Sequence, residues 1–213
     1  ETQARLAGLD WPRLAAQLDG EGHAVIEGLL APQQCRDMAA LYAAEEGFRS
    51  RVVMARHGYG KGEYRYFAYP LPDLVAGLRA TRYPHLASSA NRWHEAMKLE
   101  VRFPPTHEGF LRRCHQAGQT RPTPLLLQYA AGGYNCLHQD LYGEHVFPLQ
   151  AAILLSQPGR DFDRGVGAGE VQTYMFVVPG VGGRCGARHE RHAIGAAGGD
   201  QRLGVDAIRE TGQ

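Results

Sequence analysis

The sequence has no long hydrophobic run. None reaches the ~20 apolar residues a membrane-spanning helix needs, so no membrane partner is expected. No basic segment followed by a short apolar core opens the chain, which leaves secretion unsupported and makes the cytoplasm the expected location. The first residue is Glu1 rather than Met, so the N-terminus is expected to be trimmed or missing. Cysteine is sparse: Cys35, Cys114, Cys136 and Cys185 form no C-x-x-C pair, which argues against a zinc ribbon or a thioredoxin-like motif. Such scattered thiols read as reduced and partly buried. Charge of one sign is also lacking. With 23 basic and 22 acidic residues the net charge is +1, so nothing pulls the whole chain toward nucleic acid or a membrane, and only local basic patches stay open.

What is present suits one domain. The 213 residues are 44% hydrophobic and 21% charged, enough for a core and unlike a disordered profile. Ala15 to Leu30 reads as a short helix, a turn at Gly20-Glu21-Gly22 and a strand at Ala24-Val25-Ile26. Pro32 then opens a helix with Cys35, Met38, Ala39 and Tyr42 on one face. The segments starting Arg51-Val52-Val53-Met54 and Tyr64-Arg65-Tyr66-Phe67 read as strands joined by a Gly-rich loop. Aromatic and basic residues interleave here. That pattern suits stacking on bases or rings, but an edge hairpin with its aromatics on the core explains it more simply. Short helices are expected at Pro72 to Arg79 and His107 to Gly118, and a longer one at Pro84 to Val101 with Leu86, Ala90, Trp93 and Met97 on a shared face.

After Pro122 and Pro124 the periodicity changes. Leu125 to Tyr129, Cys136 to Asp140, Val146 to Ser156 and Val171 to Val178 read as strands. Helices first and strands after predict an α+β fold, with a β-sandwich or jelly roll carrying any site. The division falls at about residue 121, between a helical support region and a core at 122–213. The last 55 residues hold 13 of the 27 glycines, so less regular structure is expected after about residue 163.

The chemistry concentrates between Leu127 and Asp140. In a strand, residues i and i+2 share a face, so His138 and Asp140 should project together. An imidazole beside a carboxylate is two thirds of the 2-His-1-carboxylate ligand set of non-haem Fe(II) oxygenases. A lone His-x-Asp arises often by chance; the strand, glycine turn and strand around it give this one weight. Candidate third ligands are His145, His189 and His192. His145 follows Asp140 too closely for a separate strand. His189 and His192 lie 51 and 54 residues after His138, room for strands to return beside it. Ten residues after His192 stands Arg202; ten after His189 stands Gly199.

Gln128-Tyr129, the glycine turn, Tyr134-Asn135, His138-Gln139-Asp140, Leu141-Tyr142-Gly143 and Phe147-Pro148-Leu149-Gln150 together resemble the Fe(II)/2-oxoglutarate-dependent dioxygenase superfamily. The likeness is to bacterial members with an AlkB- or prolyl-hydroxylase-like core. With a weaker match at Gly22 to Tyr42 it covers most of residues 20–162. Beyond Phe162 the chain departs from it, reading Asp163-Arg164-Gly165-Val166-Gly167-Ala168-Gly169-Glu170 where relatives carry a Gly-Gly-Glu-Phe strand.

The resemblance implies a double-stranded β-helix with the N-terminal helices on its outer face. It implies Fe(II) held by His138, Asp140 and His192, with 2-oxoglutarate held by Arg202 and touched by Tyr129 and Asn135. O2 would be the oxidant, ascorbate stays open as an accessory, and succinate and CO2 would be released. The substrate is left open among a small molecule, a protein side chain and a nucleic-acid base, to be hydroxylated or oxidatively demethylated. Two alternatives stand beside this reading: an oxygenase-like domain lacking its third ligand, and a cupin-like metal-binding barrel.

Overall fold

In this computed structural model residues 2–136, 145–157 and 160–161 are described in full, and 175–179 and 206–208 as backbone strands. Three of the helices begin where a side chain supplies a missing backbone partner. Helix α1 (Thr2–Ala7) leads to α2 (Trp11–Glu21), which starts where the Asp10 side chain accepts from Arg13 N–H and stops at Gly22 in the left-handed region, φ 73°. Strand β1 (Ala24–Ile26) follows, then α3 (Pro32–Ala40), where the Gln34 side chain accepts from Ala31 N–H. Strands β2 (Phe48–Val53), β3 (Gly60–Lys61) and β4 (Glu63–Phe67) come next. Helix α4 (Asp73–Ala96) follows, then α5 (His107–Gln116), capped by the Thr106 hydroxyl accepting from Gly109 N–H. The rest is β5 (Leu125–Gln128), β6 (Tyr134–Asn135), β7 (Leu149–Ile153), β8 (Met175–Pro179) and β9 (Asp206–Ile208).

The result is a mixed α and β fold with small antiparallel sheets. The described strands form a four-stranded sheet in the order β1-β8-β7-β9, a three-stranded sheet β2-β4-β5, and a two-stranded ribbon β3-β6. Strand β5 runs close to β9, so the two larger sheets meet there.

Several expectations change. The helices expected at 72–79 and 84–101 are one helix of 24 residues with Pro84 inside it. An interior proline costs ~3 kcal/mol, but here the burial of Val75, Leu78, Tyr83, Leu86, Ala87 and Ala90 holds the helix together across it. The helix ends at Ala96, so Met97 leaves the apolar face and is 49% exposed rather than inward. Trp93 is half-buried, its indole N–H donating to Asp19. Strand β7 is shorter than the expected 146–156, because Pro148 offers no ladder N–H in front of Leu149. The segment expected to be irregular after residue 163 supplies two of the four strands in the largest sheet; of these, β9 was not anticipated.

The main core joins helices to sheet. Phe147 lies at its centre, with ring centroids 4.9 Å from Phe103, 5.3 Å from Tyr83 and 5.6 Å from Phe110. These rings pin the entry to β7 against α4 and α5. A smaller cluster of Met54, Leu125, Leu127 and Tyr129 lies under the three-stranded sheet.

Candidate active site

The interleaved aromatic and basic residues of β2 and β4 are mostly structural. Arg49, at the irregularity between Phe48 and Ser50, lies 4.2 Å from the centroid of Tyr66 and donates to the carbonyl of Pro122. Burial holds its guanidinium below the ordinary arginine value. Arg65 lies over Tyr42 and Phe48, with centroids at 5.3 and 5.1 Å, and donates to the carbonyls of Tyr42 and Ala44. Glu63 accepts from the Tyr42 hydroxyl on one oxygen and from Arg51 on the other. Burial, then the hydrogen bond to Glu63, pushes the Tyr42 hydroxyl above its usual range. The simpler reading of this hairpin therefore holds for Tyr64, Tyr66 and Phe67, which pack on the core clusters.

The ribbon β3-β6 was not anticipated as paired strands. Gly60 pairs with Asn135 and Lys61 with Tyr134, and Cys136 N–H donates to Tyr59 O at 2.8 Å. Glycines make the close approach feasible. A methyl on Gly60 would stand 2.3 Å from the carbonyl oxygen of Tyr134, and one on Gly133 would stand 2.8 Å from Ala130 O and 2.9 Å from Lys61 O. The signal was in the sequence as two small-residue pairs, Gly60/Gly62, read as part of a loop between strands, and Gly132/Gly133, read as a turn; their pairing with each other was not read.

The ribbon positions two of the expected co-substrate residues. Tyr129 follows β5, is 7% exposed and lies against the other end of the ribbon from Asn135. A methyl on Gly62 would stand 2.7 and 2.8 Å from its Cδ1 and Cε1 atoms. Asn135 is exposed opposite Gly60. His138, Asp140, His192 and Arg202 lie outside the described residues. The chain leaves the described ribbon at Cys136 and re-enters at His145, whose N–H donates to the Gln119 side chain at 3.2 Å. Among the described residues no three His, Cys, Asp or Glu side chains stand close enough to hold a metal. No helix among them is long and apolar enough to cross a membrane.

Two curated proteins are similar, Uncharacterized protein MT2286 and Uncharacterized protein Rv2227 of Mycobacterium tuberculosis (strains CDC 1551 / Oshkosh and ATCC 25618 / H37Rv). Each is 43% identical over 128 residues, 58% of this chain and 55% of the relative, so the chain spans about half the length of these relatives. No solved structure matches the chain. The model of a family named Oxygenase-NA, described as "Oxygenase, catalysing oxidative methylation of damaged DNA", matches residues 62–170, half of the chain and all of the stretch from Gly62 through Tyr129 to Asp140. The chain belongs to this oxygenase family.

Proposed function

We propose that the protein is an Fe(II)- and 2-oxoglutarate-dependent dioxygenase with a jelly-roll core that oxidises a methylated base in DNA. One observation carries the reading: the matched oxygenase stretch, residues 62–170, contains the His138-x-Asp140 pair with Tyr129 and Asn135 just before it. Two imidazoles and a carboxylate are the donor set suited to a non-haem Fe(II) centre with open positions. His138, Asp140 and His192 would hold the metal, and Arg202 would fork onto the far carboxylate of 2-oxoglutarate. When bound, the iron with 2-oxoglutarate and O2 supplies the oxidation of a substrate C–H bond, with release of succinate and CO2.

The chain's own residues position and shield. Tyr129, buried against Gly62, offers a rigid wall, and the exposed Asn135 amide offers a donor and an acceptor at the ribbon's edge. Oxygen placed on an N-methyl carbon leaves an N–CH2OH group, which falls apart to N–H and formaldehyde. The net change on a methylated base is therefore loss of the methyl group.

The test is anaerobic titration with Fe(II) and 2-oxoglutarate, followed by succinate release in air. A metal-to-ligand charge-transfer band should form, and His138→Ala, Asp140→Ala or His192→Ala should each abolish it. Arg202→Ala should keep the band but raise the 2-oxoglutarate requirement. Metal binding with no such band in the unaltered protein would reject this reading in favour of a cupin-like metal site.

A further inference from the structure

The structure separates the aromatic and basic residues of 48–67 into two groups. Tyr64, Tyr66 and Phe67 face the core; Tyr59 and Lys61 do not. Tyr59 is 48% exposed and its ring stacks on exposed His57, centroids 5.3 Å apart and planes 23° from parallel. Across the ribbon Tyr134 is 52% exposed and sits directly opposite Lys61, and directly opposed residues share a face. A methyl on Gly132 would stand 3.7 Å from Lys61 Nζ, so the ammonium lies over the turn that carries the chain into Tyr134. Exposed rings on and at the entry of a two-stranded ribbon this tight are not there to fill a core. We propose that Lys61 and Tyr134 on one face of the ribbon, with Tyr59 in the bend that enters it, form a stacking platform for single-stranded DNA.

Three observations give this occupant. Exposed ring faces stack on bases whose own faces are free, which duplex bases are not. A cation beside the rings suits the phosphate strand between stacked bases, while a net charge of +1 gives no strong pull toward duplex as such. The ribbon also runs straight into the segment carrying His138. That residue is two positions past Cys136 in the sequence. The inference rests on the oxygenase reading for what the platform delivers, but binding tests it without turnover.

The experiment is fluorescence anisotropy of the full chain, free of iron, with a labelled oligodeoxythymidylate of about 15 nucleotides, the same strand in duplex, and its ribo counterpart. The single deoxy strand should bind best. Tyr59→Ala and Tyr134→Ala should each weaken it about 5- to 100-fold, while the Phe variants keep most of the affinity. Lys61→Ala should flatten the salt dependence of log K by about 0.7, and Arg36→Ala, at an exposed position of α3, should change nothing. Circular dichroism and melting temperature should match the parent; if an Ala variant fails to fold, the Leu variant, bulky but without a ring face, replaces it. Equal affinity in the tyrosine variants, or tighter binding of duplex or RNA, overturns the platform. A charge-transfer band with no strand binding removes the platform and leaves the oxygenase. Strand binding lost in the tyrosine variants, with no band, does the reverse.

Discussion

Gly62→Ala tests the fit between the ribbon and Tyr129 most directly. Gly62 has no positive φ, so alanine meets no backbone strain there. The added methyl would instead stand 2.7 Å from Tyr129 Cδ1, 2.8 Å from Cε1 and 3.1 Å from Gln128 O. Ordinary contact begins near 3.5 Å, so the ring must retreat by ~0.7 Å or more. It has little room, packed among Met54, Leu125 and Leu127. Overpacking of this kind costs about 1–3 kcal/mol. Loss of glycine's freedom in the unfolded chain returns about 0.4–1 kcal/mol. The net expectation is a loss of about 1–2 kcal/mol, which lowers the melting temperature of a chain this long by about 2–8 °C. Urea unfolding should show it as a shifted midpoint with an unchanged slope. If Tyr129 also touches 2-oxoglutarate, the variant should raise the co-substrate requirement more than it lowers the maximal rate. The double-mutant cycle decides the cause. With Tyr129→Ala already in place the methyl has space, and Gly62→Ala should cost less than ~0.5 kcal/mol. Additive costs would show that the clash with Tyr129 is not what matters.

Other expectations follow from the same contacts. Tyr42→Phe removes the donor to Glu63 but leaves Glu63 held by Arg51, and should cost about 1 kcal/mol in chemical unfolding. Trp93→Ala should cost about 2 kcal/mol, below the ~3–5 of a fully buried indole, because the ring is half-buried. Met97→Ala, at an exposed position, should stay within ~0.5 kcal/mol. His85 stacks on Trp11 with centroids 4.1 Å apart, and partial desolvation holds its imidazole below the ordinary value of 6.5. A depressed value means the unfolded chain binds the proton more readily. The neutral ring's contribution is therefore fully present above about pH 6.5 and fades as pH falls toward the folded value. His85→Phe should flatten melting temperature against pH in that acid window.

The helices were legible because their signals are local. The apolar spacing of Cys35, Met38 and Tyr42 and of Phe110 and Cys114 marks faces the structure buries. Pro84 misled because helix interruption is only a local preference, and packing on both sides of it prevailed. The ribbon was missed because pairing between residues 60–61 and 134–135 is a long-range fact with a two-residue signature, too short for any periodicity. The strand at 206–208 was missed for the same reason: three residues in a glycine-rich context carry no pattern of their own. For the site, sequence supplied the His138-x-Asp140 spacing, whereas the burial of Tyr129 under Gly62 and the exposure of Tyr134 depend on packing that no single segment encodes.

The pairing of β1 with β8 has a consequence for how the chain is made. Ile26 finds its partner in Met175, and Ala24 in Val177. At roughly 5–20 residues per second, the ribosome needs on the order of 10–30 s after producing the first strand to deliver the second. Throughout that interval the edge of β1 stays open while α2, which packs against it, can already form. The three-stranded sheet needs no such wait, since β2, β4 and β5 are complete by residue 128. The nascent protein should therefore mature in two stages, and a chain released between them would carry an open strand edge ready to pair with another copy. Stalled or truncated products ending before residue 175 are then the aggregation-prone species, even though the ribbon and its exposed tyrosines are already in place.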